Sequence, residues 1–166
     1  MKVRAGFVSN SSSSSFLVAL PKNVPPTQAG LRQFLFGQQK EVGNFPGQRM
    51  SAEHAAAVLE EKLRPFDYQD PAELENLLAW EIADLPNFLL NAPPSLPAEA
   101  PATYRARVKS YEKQAIAAWW QLELAILDVA HNNLFWIEFD SRETDDAILE
   151  AAEVFAGLPY LFAILH

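Results

Sequence analysis

Four carboxylates, Glu138, Asp140, Asp145 and Asp146, fall within nine residues. Clustered carboxylate oxygens suit a hard cation such as Mg²⁺. Glu138 and Asp140 have the parity that places them on one face of a strand, and Asp145 and Asp146 open the helical pattern that follows. That end of a strand is where ligands commonly bind in an open α/β sheet. A plainer role competes with the metal. Acids in a first helical turn complement the helix dipole, and acids at a strand end are solvated.

A second group is the stretch GFVSNSSSSSFLVAL, residues 6–20. A serine-rich tract is by default a flexible linker. Only eight residues precede this one, however, so it tethers no domain, and Phe7 and Val8 give the leading segment apolar anchors for docking. A docked loop would crowd backbone N–H groups and hydroxyls together. It could then cradle an anion or meet a polar partner surface, although the lysine of nucleotide-binding loops is missing. Phosphates on these serines would add strong negative charge. Phe7, Ser9, Asn10, Ser11, Ser12, Ser13, Ser14 and Ser15 are accordingly expected to form part of a partner surface.

Two further features could recognise a partner. Arg105, Lys109 and Lys113 lie within about 80° of one another on a helix, a basic ridge with Arg107 off to its side. A solvated helix face is the plain reading, and a phosphate-rich or acidic partner the functional one. Trp80 projects about 200° from Leu78. With Trp136, beside Glu138, it is expected to reach the surface, where exposed aromatics anchor partners. The histidines, His54, His131 and His166, lie far apart, and the chain has no Gly-x-Ser-x-Gly elbow and no His-Glu-x-x-His.

Bulk properties narrow the classes. The chain has 166 residues, 49% of them hydrophobic and 20% charged, which suits one domain with a real core. With no cysteine, disulfides, thiolate metal sites and cysteine nucleophiles are excluded. The net charge of −8 argues against nonspecific nucleic-acid binding, which needs cations to displace counterions. Lys2 and Arg4 resemble the start of a signal peptide, but the serine block breaks the apolar run that must follow. No apolar run is long enough for a membrane span. The expectation is a soluble, cytoplasmic single domain over residues 1–166.

The elements that must position these residues follow from periodicity. Phe16–Leu20 reads as a strand. Thr27 caps a helix over Gln28–Phe36 with Leu31, Phe34 and Leu35 on one face, and Gly37–Met50 reads as a loop. Ser51 starts a helix that Pro65 stops. Asp70-Pro71-Ala72-Glu73 is a helix start, with Asp70 capping and Glu73 positioned to reach back to it. Residues 86–101 form a proline-rich connection. A long helix, about Ala102 to Ala130, follows and is expected to be the central helix of the core. Leu134–Asp140 is a strand, Thr144 caps a helix to Ala156 with Gly157 closing it, and Tyr160–Leu165 is a final, central strand. The fold class is therefore α/β (or α+β), a small sheet of about three to four strands, the fourth being Val3–Val8, with a C-terminal βαβ unit and about five covering helices.

The string Met1-Lys2-Val3-Arg4-Ala5-Gly6-Phe7-Val8-Ser9-Asn10, continued by the serine run and Phe16, resembles a recurring N-terminus of small uncharacterised bacterial and phage proteins. The resemblance covers about a tenth of the chain. It implies that the segment acts as a unit, and it brings no activity, cofactor or catalytic residue. The leading expectation is a non-catalytic protein-interaction module with no cofactor and a protein partner, with homo-oligomers open. The alternative is a small metal-dependent enzyme or ligand-binding domain that uses the acidic cluster with Mg²⁺.

Overall fold

The computed structural model describes residues 13–45 and 47–164. At its centre is β1 (Ser13–Pro21), flanked on one side by β6 (Asn132–Asp140) and on the other by β7 (Tyr160–Ile164), both antiparallel to it. Two-residue strands close the sheet, β4 (Arg64–Pro65) beside β6 and β5 (Glu81–Ile82) beside β7, in the order β4-β6-β1-β7-β5. The strands of the expected βαβ unit do run in the same direction. They are not neighbours, because β1 occupies the place between them. Among the described residues the sheet has five strands where three to four were expected, and its middle strand is β1 and not the C-terminal one; the expected strand Val3–Val8 lies outside those residues.

The alternation of β1 and β6 divides the core into two layers. Val18 and Leu20 with Phe135, Ile137 and Phe139 face α1 (Gln28–Leu31), α2 (Ala52–Lys62) and α6 (Thr144–Ala151). Leu17 and Ala19 with Leu134 and Leu161 face α5 (Pro101–Leu127), and α3 (Pro71–Leu78) packs on the same side. The expected parity of Leu134–Asp140 is the observed one. α5 is not surrounded by core. Trp119, Trp120, Leu124 and Leu127 are buried against the sheet, while Leu122 and Ile126 stay exposed.

Several ends differ from the periodicity for identifiable reasons. Thr27 does cap α1 (Gln28–Leu31), accepting from the Gly30 N–H at 3.2 Å, but Arg32–Phe36 continues as a π-helical turn. The wider turn rotates Phe36 inward and leaves Phe34 outside. The expected loop contains a hairpin, β2 (Glu41–Phe45) with β3 (Gln48–Ser51). Gly43 is required there, since its φ is +132° and a Cβ would meet the Gln48 carbonyl oxygen at 2.3 Å. A short α4 (Leu85–Leu89) opens the proline-rich stretch. α6 begins after Glu143, one residue before the expected cap at Thr144, and its left-handed exit is Glu153, φ 49°, in place of Gly157.

The serine tract enters this core. Ser14 and Ser15 are buried within β1, opposite Phe139 and Glu138 of β6. The Ser14 hydroxyl donates to the Glu150 carboxylate on α6. The Ser15 hydroxyl, on the α5 side, has no partner among the described residues. A buried orphan hydroxyl carries a desolvation penalty. Ser15→Ala is therefore expected to be stabilising, by about 1 kcal/mol, as read by chemical denaturation. A loss of similar size would show that the hydroxyl is satisfied.

Candidate functional site

A cleft of about 290 Å³ opens where the sheet meets α3. One wall comes from β6, whose even residues face this side, placing Trp136 and Glu138 together. The Trp136 indole Nε1–H donates to Glu138 Oε1 at 3.1 Å. The opposite wall is α3 and its exit, with Glu73, Asn76, Leu77 and Trp80. The Trp80 and Trp136 rings meet edge to face, 5.5 Å between centroids at 61°, a favoured aromatic geometry. β4 and the residue after it supply Arg64, Pro65 and Phe66.

Local chemistry explains why Glu73 is available. Asp70 caps α3 by accepting from the Ala72 N–H at 2.9 Å, and Pro71 occupies the first turn, as expected. The Asp70 N–H is already bonded to the Asp67 carbonyl at 3.1 Å, which displaces Glu73 from the reciprocal half of a capping box. Glu73 lines the cleft instead. Among the described residues neither Glu73 nor Glu138 forms an ion pair, and Arg64 has no acidic partner within salt-bridge distance. The cleft thus combines two indoles, two carboxylates, an amide and one guanidinium.

The four clustered carboxylates are not brought together. Asp140 pairs with Arg142, with Nη2 2.7 Å from Oδ2. The Arg142 hydrogen bonds hold its pKa down at about 2, so it stays ionised at any higher pH. Asp145 meets His54 Nε2 at 2.7 Å. Asp146 is buried and accepts from both Lys62 Nζ at 2.7 Å and the Asp140 N–H at 2.8 Å. Glu138 points into the cleft. Among the described residues no three acidic or histidine side chains form a metal-holding group. Asp146 satisfies the last N–H of β6 from the side chain of α6.

The other expected site residues are placed as follows. Phe7, Ser9, Asn10, Ser11 and Ser12 lie outside the described residues. Ser13 is half-buried at the start of β1, while Ser14 and Ser15 are interior and offer no surface to a partner. Arg105, Lys109 and Lys113 are exposed on α5 without an ion pair among the described residues. Arg107 is diverted from that ridge. It grips Glu99 through Nε at 2.8 Å and Nη2 at 2.9 Å and donates to the Pro94 carbonyl, clamping the proline-rich connection onto α5. The expected placement of Trp80 opposite Leu78 on a helix does not hold, because α3 ends at Leu78. Trp80 lies in the bend that follows, packs against the same core cluster as Leu78, meets Trp136 and is half-buried.

Arg64, Glu73 and Asn76 were not singled out from the sequence. Glu73 carried a signal for a different role, and Arg64 read only as the end of a helix. No family model, curated protein or solved structure matches this chain.

Proposed function

We propose that the chain is a non-catalytic protein-interaction module whose partner docks at the cleft between β6, α3 and β4. The observation that carries this reading is the Trp80–Trp136 pair. Two half-buried indoles line an open cleft beside charged groups that form no ion pair among the described residues. Aromatic residues of this kind dominate binding energy when a partner desolvates them. Arg142, His54 and Lys62 already occupy the other acids, which favours docking over chemistry at the acidic cluster. The segment before Ser13 remains proposed as part of the partner surface, and the N-terminal resemblance supports a bacterial or phage setting.

Selection of a random peptide library on the full chain tests this. Enriched sequences should lose binding, by about tenfold or more, on Trp80→Ala and on Glu138→Arg. Glu138 is exposed, so that second variant should fold even if the first is weakened. Enrichment that survives both substitutions would place the docking surface elsewhere.

A further inference from the structure

We propose that the cleft receives a lysine or arginine side chain of a protein partner, held against the two indoles and between Glu73 and Glu138. This rests on the cleft being the docking site. Cations are attracted to indole faces, and tryptophan is the strongest of the aromatic partners. Glu138 uses Oε1 to accept from Trp136, which fixes the carboxylate beside the ring, and Oε2 remains for a donor from outside. Glu73, freed from capping, supplies the second carboxylate.

Charge and size exclude the other occupants. An anionic group would find one guanidinium against two carboxylates. A purely apolar group would bury Arg64, Glu73, Asn76 and Glu138 without partners, at a cost for each. The volume, about 290 Å³, is at the low end for ligand sites. It admits one long side chain more readily than a cofactor. Arg64 then serves as the donor to a main-chain carbonyl beside the inserted residue. The net charge of −8 adds long-range attraction for a basic partner. Among the described residues the exposed pair Leu122 and Ile126 on α5 is a further apolar patch, and nothing on it selects an occupant.

The test uses three blocked pentapeptides, acetyl-Gly-Ser-X-Ser-Gly-amide, with X arginine, citrulline or glutamate. Binding is read from the indole N–H resonances of Trp80 and Trp136 in the full chain. The arginine peptide should shift both resonances saturably, and citrulline, equal in shape but uncharged, should bind about tenfold more weakly. Glu138→Gln, which keeps the acceptor for Trp136, should remove most of that difference, and 0.5 M salt should reduce it. Equal binding of arginine and citrulline peptides, a preference for glutamate, or no shift at either indole would overturn the proposal. Free arginine binding more tightly than its peptide would also overturn it, in favour of a small-molecule site. If the library selection gives Trp80-dependent peptides without basic residues, the cleft stands as the docking site and only the cationic occupant falls.

Discussion

Trp119→Ala is expected to cost about 3–5 kcal/mol of folding stability, the range for removing a fully buried large aromatic. Trp119 is 1% exposed on the sheet-facing side of α5, and its ring centroid lies 5.9 Å from that of Trp120. Leu17 and Leu161 of the same core cluster are held on strands, which limits collapse into the space. The same residue offers a control. Its indole Nε1–H has no hydrogen-bond partner among the described residues, so the tryptophan is held by packing and not by polar contact. Trp119→Phe should then cost much less, about 1 kcal/mol, since it removes an orphan donor along with some volume. Urea unfolding of both variants checks this. A phenylalanine variant as unstable as the alanine one would show that the N–H is satisfied.

Lys62→Met should destabilise by about 2–3 kcal/mol. Breaking a buried ion pair by removing one partner costs about 3–5 kcal/mol, and the figure here is reduced because the Lys62 side chain is 33% exposed and water screens the pair. The residual cost comes from Asp146, 2% exposed, left charged at the edge of β6 without its counter-ion. Asp146→Asn keeps an oxygen for the Asp140 N–H and should cost less, while the double substitution Lys62→Met with Asp146→Asn should recover much of the single-variant loss. Denaturation of the four proteins gives the coupling energy directly. Additive losses would mean that the two side chains act independently.

The parts of this fold legible in the sequence are those governed by neighbours along the chain. Asp70-Pro71, Ser51 and Thr27 cap helices as read, because a cap satisfies N–H groups two or three residues away. The parity of β6 was legible because a strand presents alternate residues to two environments. By that reasoning the face of Trp136 could be read, but not that of Trp80, because α3 ends at Leu78. Their contact with one another could not be read either, since it depends on α3 lying over the β4 end of β6.

Position in the sheet overrode local preference elsewhere. β1 begins at Ser13 although serine is a poor strand former, because β6 runs alongside it from Pro21↔Asn132 to Ser13↔Asp140 and supplies ladder partners for the whole length. Two-residue strands such as β4 and β5 have no periodicity to read. Three of the clustered acids are engaged separately, Asp140 by its near neighbour Arg142 and Asp145 and Asp146 by His54 and Lys62, which are adjacent to them only in space.

The sequence by itself therefore determined the class of the molecule, the caps of its helices and the faces of its long strand, all set by contacts within a few residues. Tertiary structure alone decided that the serine tract enters the core, that the four acids separate, and that Arg64, Glu73, Trp80, Trp136 and Glu138 meet at one cleft. Those outcomes depend on which elements pack together, and the packing is settled by burial of the whole core and not by any local pattern.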